Sequence, residues 1–405
     1  MTGAPIRTGW LDVRPSPKPG LVVQPVDGEV VIYDPEADAL HHLEPTASTV
    51  WALLNGERSV RSVAADVADI YHVPEAAIRS DVHELIDVLH HRGLLAGSVG
   101  VRTSTGRRPV YIPPDKSDLG GQQLPAVPYL TRAFRGLEYS FAVATNQPGV
   151  RDYLDEILAD LSDDDCGDPI RYELIALAED QYAVRCEDDL VVETGRLDRA
   201  LSVLLWHINA EVVRRTSTRH LAVHAAAATR NGMTVLLPAA PESGKTTTVA
   251  GLVANAGFGY LTDEAVAIDT ATLIPWPYAK PLSVNRGSWD VLAHLRPSHH
   301  SVVTGQWQVP ASAIRPDAVA SAAPIRFVVE PAYDRSADTR LEQISMAAML
   351  VRLADSTFSF HESPQRNLAV LARVLEQAEC YRLLISDLDD GVELIARLVT
   401  RESRA

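Results

Sequence analysis

The feature that most constrains this chain is a strand–loop–helix pattern around residues 239–246, which read A-A-P-E-S-G-K-T. An apolar run, M-T-V-L-L at residues 233–237, comes before it, and a helical pattern, T-V-A-G-L-V at residues 248–253, comes after it. This context predicts a phosphate-binding loop, because backbone N–H groups of the loop and the helix N-terminus converge where the helix dipole favours an anion. The alternative is a chance G-K-T in a surface turn.

The side chains of the loop predict a nucleotide and its metal ion. Lys245 would place a full charge beside the β- and γ-phosphates and the Thr246 hydroxyl would ligate Mg²⁺, so ATP and Mg²⁺ are the predicted cofactors. Ala239 stands where the Walker pattern G-x-x-x-x-G-K-[ST] has its first glycine, and alanine has less access to positive φ. The predicted cofactor-binding residues are Ala239, Glu242, Ser243, Gly244, Lys245, Thr246 and Thr247.

Length and charge exclude several classes of protein. A chain of 405 residues, 46% of them hydrophobic, suits about two or three domains. The net charge of −16 argues against a nucleic-acid partner, which needs a basic surface. No apolar signal region or membrane-spanning stretch is found, so no membrane partner and a cytoplasmic location are expected. Three scattered cysteines predict a reduced compartment without structural zinc, and the oligomeric state is left open, a homo-oligomer included.

Turn and helix signals divide the chain into three segments. Residues 21–97 predict a small winged-helix-like domain, in which two strands flank the hairpin signal Asp27-Gly28 and three short helices follow. Residues 98–126 are rich in Arg, Thr, Gly and Pro and predict a linker. Residues 127–405 predict one large unit, with an accessory α/β part at 127–215 and the P-loop core at 216–405.

The large unit is typical of a mixed α/β kinase-like core. Its helical patterns have apolar residues at helical spacing, and its strands are short apolar runs bounded by turn residues. The predicted strands lie at 182–185, 190–193, 233–237, 259–262, 266–269 and 381–384, and the predicted helices at 197–213, after the P-loop, around Leu368 to Leu375, and after Asp390-Gly391.

The N-terminal segment resembles the small pyrroloquinoline-quinone biosynthesis protein D, PqqD. The resemblance runs from Asp34 to Leu95 and centres on the pattern L-x-P-T-A-S-T-V-W-x-L-L-N-G at residues 43–56. Position 44 is glutamate where a small polar residue such as asparagine is expected. This family supplies the recognition element of many pathways to ribosomally synthesised, modified peptides (RiPPs). The resemblance therefore implies that the domain binds the leader of a RiPP precursor peptide.

Stretches of the large unit are similar to kinases related to HPr kinase/phosphorylase (HprK-like). They read L-A-V-H-A-A-A at residues 221–227, Y-L-T-D-E at 260–264 and P-Y-A-K-P-L-S at 277–283, with the P-loop between the first two. The resemblance implies a core shared with ATP-dependent phosphoenolpyruvate (PEP) carboxykinase, and kinases of this type occur in some lasso-peptide pathways. Ala239 and the lack of a glycine-rich signature after the acidic pair depart from true HPr kinase, so HPr is not the expected substrate.

The acidic pair after the P-loop helix is predicted to carry the chemistry. Phosphoryl transfer needs charge neutralisation on the nucleotide and an oriented hydroxyl nucleophile, which a nearby base assists. In the family this place holds one acid that acts on the acceptor proton and one that acts on the metal. By that resemblance Asp263 is assigned as the base and Glu264 as the metal-side partner of Thr246, although the roles could be exchanged. The predicted catalytic residues are Asp263, His224 and Lys245.

Other polar residues near these motifs have two interpretations. His224 is either an orienter of Asp263, as its place in the family motif implies, or a packed core residue. Lys280 and Arg286 flank a proline-rich turn and either hold phosphate or acceptor peptide, or are solvated surface cations. The adjacent pairs His41-His42, His90-His91 and His299-His300 lack the spacing of a helix metal site and are predicted to lie on the surface.

Three functions compete on this evidence. The first is an ATP-dependent kinase that phosphorylates a Ser or Thr hydroxyl of a RiPP precursor peptide. The second is a peptide-binding chaperone whose nucleotide site is a switch or is inactive. The third, a DNA reader, is weakened by the negative net charge and by the acidic residues of the third predicted helix.

Leader binding is expected by strand addition. The hairpin strand at residues 29–33 is predicted to lie at an edge of the small sheet, where free N–H and C=O groups can pair with an extended peptide. Peptide side chains would enter a groove beside the third helix. The predicted peptide-binding residues are Val30, Val31 and Ile32 on the strand and Ile78, Val82 and Leu85 on the helix.

Overall fold

The computed structural model describes residues 10–98, 124–165, 167–178, 180–216, 219–238, 243–297 and 305–403. The fold is mixed α/β, as predicted. The predicted cofactor-binding residues Ala239 and Glu242, the pair His299-His300 and most of the predicted linker lie outside the described residues.

The described residues form the following helices and strands. The helices are α1 (Pro45–Leu53), α2 (Val60–Tyr71), α3 (Glu75–His91), α4 (Pro148–Ile157), α5 (Leu197–Arg214), α6 (Lys245–Asn255), α7 (Ala311–Ile314), α8 (Met346–Asp355), α9 (Pro364–Glu376) and α10 (Leu388–Glu402). The strands are β1 (Val22–Val26), β2 (Glu29–Asp34), β3 (Ala39–Leu43), β4 (Tyr129–Leu130), β5 (Phe134–Gly136), β6 (Tyr139–Thr145), β7 (Ile170–Ala178), β8 (Gln181–Cys186), β9 (Asp189–Thr194), β10 (His220–Val223), β11 (Ala225–Arg230), β12 (Met233–Pro238), β13 (Gly259–Thr262), β14 (Val266–Asp269), β15 (Pro275–Trp276), β16 (Leu282–Asn285), β17 (Gln306–Val309), β18 (Ile325–Tyr333), β19 (Arg340–Gln343) and β20 (Glu379–Ile385).

The chain forms two compact units that interleave along the sequence. The N-terminal unit contains residues 1–108 together with 345–355 and 359–372, and the P-loop unit contains residues 109–344, 356–358 and 373–405. The sequence analysis divided the chain into contiguous segments. The difference arises because α8 and most of α9 group with the N-terminal unit.

The sheet of the N-terminal unit has the order β1-β2-β3, with both pairs antiparallel. The β1–β2 hairpin turns at Asp27 and Gly28, whose φ angles are 48° and 78°. A two-residue hairpin loop of type I′ needs positive φ at both positions, which Asp-Gly accepts readily. The predicted hairpin is therefore confirmed.

The prediction that residues 29–33 form an edge strand is wrong. They belong to β2, which pairs with β1 on one side and β3 on the other. Its residues Val31 and Ile32 are fully buried and Val30 is half-buried, so they do not offer a free edge to a peptide. The sequence analysis missed β3, because His41-His42 interrupts its apolar pattern.

Helix α1 contacts β2 and β3, and helices α2 and α3 share a hydrophobic core with this sheet. Ser59 caps α2, and its side chain accepts a hydrogen bond from the Ser62 N–H. Val82 of α3 is buried in the core, so the prediction that it contacts a peptide is wrong, whereas Ile78 and Leu85 are only partly buried. The core beneath the helices includes Ile32, Leu43, Val50, Trp51, Val63, Val67, Ile86 and Leu89.

Helix α8 contacts β2 and β3 and therefore lies across the sheet of the N-terminal unit. Next to it, the ring of Phe360 packs edge-on against the ring of Tyr33 on β2, with 5.1 Å between the ring centroids. Both aromatic residues are buried. Both faces of the sheet are thus covered at β2, which explains the continuous apolar sequence V-V-I-Y of this strand.

The P-loop unit is built on a six-stranded sheet with the order β13-β11-β12-β18-β20-β19. Strand β11 lies between β12 and β13 and is antiparallel to both, so β12 and β13 run in the same direction. Their carboxyl ends therefore reach the same edge of the sheet. The phosphate-binding loop follows β12 and the acidic pair follows β13, which brings the two motifs together.

A second sheet of the P-loop unit has the order β4-β6-β7-β8-β9, with β5 paired to β6. Helix α5 contacts β7, β8 and β9, and α4 contacts β6. This sheet and its helices form the accessory α/β part. Among the described residues, no helix is long and apolar enough to cross a membrane.

Candidate functional site

The predicted phosphate-binding loop ends at Gly244, which precedes α6 with φ 101° and ψ 6°. A Cβ atom at this position would meet no other atom within 4 Å, so glycine is needed for its backbone conformation rather than for space. The neighbouring Ser243 Oγ is buried and has no hydrogen-bond partner among the described residues. An unsatisfied hydroxyl beside a helix N-terminus fits a phosphate ligand.

Lys245 begins α6 and is only 7% exposed. Burial lowers the pKa of its ammonium group to about 8, although the nearby charges of Glu264 and Asp263 oppose the shift. A buried ammonium at the first turn of the helix is stabilised by an anion, and the phosphates of a nucleotide would supply one.

Asp263 follows β13 and is buried. Its carboxylate contacts four hydrogen-bond donors. Its Oδ2 accepts from the Thr246 hydroxyl (3.2 Å) and from the Ser283 N–H (3.1 Å). Its Oδ1 accepts from the Tyr260 hydroxyl at 3.0 Å and lies 2.7 Å from Lys280 Nζ. An ionised carboxylate has about four lone-pair sites, so the protein already occupies each of them.

The structure therefore brings Asp263, rather than the predicted Glu264, to Thr246. Their oxygens fit Mg²⁺, because this ion binds in nucleotide sites through one or two carboxylates together with substrate phosphates. No group of three or more His, Cys, Asp or Glu side chains suited to a metal is found among the described residues.

Glu264 has a different environment from Asp263. Its side chain is 33% exposed and lies beside a cavity. Partial burial raises the pKa of its carboxyl group and the charge of Asp263 adds to this shift, while Lys280 and Lys245 oppose it. A carboxylate with a raised pKa that faces open space has the properties of a general base.

His224 lies between β10 and β11 and contacts Glu264, not Asp263 as predicted. Its Nδ1 is 3.0 Å from the Glu264 backbone oxygen and 3.5 Å from Oε1 of the same residue. Burial lowers the pKa of His224 to about 4, and the charge of Lys245 adds to the shift. The imidazole is therefore neutral at pH 7, and its Nδ1–H donates to the carbonyl.

The two predicted cations differ. Lys280 is 8% exposed, forms the ion pair with Asp263 and donates to the Ser283 hydroxyl, so the surface interpretation is wrong for this residue. Arg286 is exposed, and its guanidinium lies 5.5 Å from the centre of the Trp289 ring. The short 3₁₀ helix that Arg286 begins reaches α6 through a hydroxyl contact between Ser288 and Thr247.

A cavity of about 180 Å³ opens beside Glu264 and Lys280. The sequence analysis did not identify it. One wall comes from α5, whose residues 202, 205, 206 and 209 have the spacing of one helical face, and that spacing was the available signal. The lining residues are Phe141, Leu158, Leu161, Ser202, Leu205, Trp206, Ile208, Asn209, Glu264, Tyr278, Lys280, Pro281, Ser283, Gln306 and Gln308.

Comparison with known proteins identifies part of the chain. Residues 29–95 match the family model of coenzyme PQQ synthesis protein D (PqqD). The resemblance found in the sequence is confirmed for this segment, which is a PqqD-type domain. No curated protein matches the chain.

Two solved structures show similarity to parts of the chain. One is TbiB1 in complex with the TbiA(beta) leader peptide, with 20% identity over 21% of this chain and 98% of that chain, and a TM-score of 0.20. The other is the Hpr(Ser) kinase/phosphatase from Coxiella burnetii, with 14% identity over 45% of this chain and 95% of that chain, and a TM-score of 0.25.

Proposed function

We propose that this chain is an ATP-dependent kinase that phosphorylates a Ser or Thr hydroxyl of a RiPP precursor peptide. The observation that carries the kinase activity is the meeting of Lys245, Thr246 and Asp263 at one edge of the central sheet. The PqqD-type domain supports the choice of a precursor peptide as substrate, held by its leader. The sequence resemblance to HprK-like kinases supports the same reaction class.

Residues of the loop and of α6 bind the nucleotide in this proposal. Ser243, the backbone N–H groups that follow Gly244, and Lys245 hold the β- and γ-phosphates. Thr246 and Asp263 would hold Mg²⁺, which supplies charge neutralisation on the phosphate oxygens when bound. Lys280 and Tyr260 keep the Asp263 carboxylate oriented toward Thr246.

Glu264 acts as the base, so the two acids exchange the roles assigned from the sequence. Its carboxylate takes the proton of the acceptor hydroxyl, whose oxygen forms a bond to the γ-phosphorus. The bond from that phosphorus to the β–γ bridging oxygen breaks, and its electron pair leaves with ADP. Asp263 is less suited to this step because it is buried and does not line the cavity beside Glu264. His224 positions Glu264 through the contact at its Nδ1.

The leader pairs with β3 in this proposal. Among the described strands of the small sheet, β1 and β3 are the outer ones. Strand β1 contains Pro25, which has no N–H to donate to a guest strand. Strand β3 has no proline over Ala39–Leu43, and its outer backbone groups are suited to strand addition.

The kinase proposal is tested with labelled ATP and a candidate precursor peptide that is encoded next to the gene for this protein. Glu264→Gln should bind ATP with Mg²⁺ normally but transfer phosphate about 10²–10⁴-fold more slowly, because it loses the base. Asp263→Asn should instead lose Mg²⁺-dependent ATP binding, which calorimetry measures. If Asp263→Asn keeps that binding and loses only transfer, Asp263 is the base.

The second candidate is a peptide-binding protein with a nucleotide switch. This candidate function predicts a different result in the experiment with labelled ATP. Wild-type protein would bind ATP and precursor but transfer no label, and neither acidic substitution would change the peptide product. That outcome would reject the kinase proposal and retain leader binding.

A further inference from the structure

Helix α5 has two faces with different roles. One face is buried in the accessory core and carries Ala200, Leu201, Leu204, Ile208 and Val212. The second face carries Ser202, Leu205, Trp206 and Asn209 at positions i, i+3, i+4 and i+7, and all four line the cavity beside Glu264. Trp206 is 43% exposed. This large aromatic side chain lines the cavity and is placed to contact a ligand.

The cavity also contains a polar group suited to a peptide. The Asn209 Oδ1 atom is buried and accepts no hydrogen bond from the described residues. A buried oxygen without a donor is unfavourable, and a ligand N–H would satisfy it. A peptide backbone offers such an N–H at each residue other than proline.

The size of the cavity suits one side chain. Its volume is about 180 Å³. For comparison, an engineered apolar cavity of about 150 Å³ holds one benzene molecule. One aromatic or branched aliphatic side chain therefore fits, with the apolar wall provided mainly by Leu205, Trp206, Ile208 and Tyr278.

The position of the cavity relates it to the acceptor. Glu264 and Lys280 form part of its lining, and Lys280 is also the ion-pair partner of Asp263. No residue of the phosphate-binding loop or of α6 lines it among those described. A ligand here therefore reaches the acidic pair from a side other than that of the phosphates. Consecutive Cα atoms of a peptide are about 3.8 Å apart, so a residue next to the acceptor can reach the cavity while its neighbour reaches Glu264.

We propose that this cavity is a specificity subsite for the peptide, an inference that rests on the proposed kinase function. It takes an apolar side chain from the residue adjacent to the phosphorylated Ser or Thr. Trp206 packs against that side chain, and Asn209 accepts a hydrogen bond from the peptide backbone. Trp206 thus selects the neighbouring residue, whereas Asn209 holds the backbone whatever the side chain.

The test uses capped tripeptides with a central serine and glycine on one side. The other side carries Phe, Leu, Ala or Asp, and both orders are made. Binding to the full chain loaded with Mg²⁺ and a non-hydrolysable ATP analogue is measured by calorimetry. In one of the two orders, Phe and Leu peptides should bind about tenfold more tightly than Ala peptides, since burying a large apolar side chain contributes that much or more.

Two substitutions separate the two roles. Trp206→Ala should remove the preference for Phe and Leu, and Asn209→Leu should weaken all peptides by about fivefold without changing their order. Tyr333→Ala is the matched control, because Tyr333 is an exposed aromatic residue (61%) that does not line the cavity. It should leave binding unchanged. All variants should bind the ATP analogue as the wild type does, which also shows that they are folded.

Each outcome decides between the proposals. No peptide binding, no preference, or a preference that survives Trp206→Ala would overturn the subsite. Weaker binding of the ATP analogue by Trp206→Ala would overturn it as well, because the cavity would then belong to the nucleotide. A preference that depends on Trp206, without phosphate transfer by the wild type, would retain the subsite and reject the kinase.

Discussion

Lys245, Asp263 and Lys280 are charged side chains that are each less than a tenth exposed. Burial of a charge is unfavourable unless it is paired or binds a ligand. Lys280 and Asp263 pair with each other at 2.7 Å. Burial lowers the pKa of Lys245 to about 8, which indicates that its charged form is less favourable there than in water.

The lowered pKa of Lys245 makes ATP affinity depend on pH. The free protein has a pKa of about 8 at this residue, and bound phosphates favour the charged form, so the pKa is higher in the complex. Affinity should be full below pH 8 and fall by up to about tenfold per pH unit above it, until the pKa of the complex is reached. Calorimetry between pH 7 and about pH 9.5 measures this.

Lys245→Gln is the control for this prediction. It should bind ATP more weakly at pH 7, because a hydrogen bond to a charged group contributes about 1.5–3 kcal/mol. It should also lose most of the fall in affinity above pH 8. A wild-type affinity that stays constant over this range would contradict the assignment of Lys245 to the phosphates.

The ion pair of Lys280 and Asp263 predicts a large effect on stability. Lys280→Met removes one partner and leaves a buried carboxylate, which costs about 3–5 kcal/mol in the free energy of unfolding. Lys280→Met combined with Asp263→Asn should recover much of this loss, because no charge is then left buried. Thermal and denaturant unfolding measure both variants. Equal stability of the single and double variants would show that the ion pair does not hold the site.

At the scale of single elements, substitutions in β3 test whether the leader pairs with this strand. In an antiparallel edge strand, the N–H groups alternate between the neighbouring strand and the open side. His41→Pro and His42→Pro are therefore a matched pair. One should remove a hydrogen bond to β2 and lower stability, and the other should remove a donor to the guest peptide and weaken leader binding.

Calorimetry with a leader peptide, together with thermal unfolding, distinguishes these two variants. We expect one variant to keep near-normal stability while it loses leader affinity. If both variants bind the leader as the wild type does, β3 is not the pairing strand. The same test on β1, the other outer strand of the sheet, would then decide whether that strand pairs with the leader.

The local signals predicted several elements of the fold well. Asp27-Gly28 specified the first hairpin and Ser59 the start of α2, because turns and caps depend on a few neighbouring residues. Strand β2 is short, which favours an edge position, but it lies at the centre of the small sheet. It is covered by residues that lie far away in the sequence, and such contacts leave no local pattern.

The sequence motifs predicted the residues of the candidate site but not which of these residues contact each other. The motifs identified Lys245, Thr246, Asp263 and Glu264, and β12 and β13 bring them to one edge. Which acid meets Thr246 depends on the turn after β13, where the Thr262 hydroxyl accepts from the Glu264 N–H. The burial of Lys280 was not predicted, since it accompanies contacts with Asp263 and Tyr260, which lie 17 and 20 positions earlier in the sequence.

At the scale of the whole molecule, the interleaving of the two units gives a direct prediction. Phe360 and Phe358 lie two residues apart but belong to different units. Phe360→Ala should destabilise the N-terminal unit by about 3–5 kcal/mol, because a fully buried ring is lost beside Tyr33. Hydrogen exchange should show faster exchange in β1 to β3.

Phe358→Ala is the matched control. Its ring packs against His224 in the P-loop unit, with 5.8 Å between the centroids. This substitution should leave the exchange of β1 to β3 unchanged and should alter the titration of His224. Equal exchange of the small sheet in the two variants would contradict the assignment of residues 359–372 to the N-terminal unit.

Because α8 and Phe360 cover the small sheet, folding of this sheet depends on the order in which the chain is synthesised on the ribosome. The sheet emerges first, but residues 345–372 emerge late. At roughly 5–20 residues per second, the apolar face of β2 stays uncovered for on the order of 15–70 s. A nascent chain in that interval exposes apolar surface of the kind that chaperones bind. Its small sheet is completed only after residues 243–264, which are proposed to bind the nucleotide, have been translated. The order of translation thus delays completion of the sheet proposed to bind the leader until the residues proposed to modify the peptide exist.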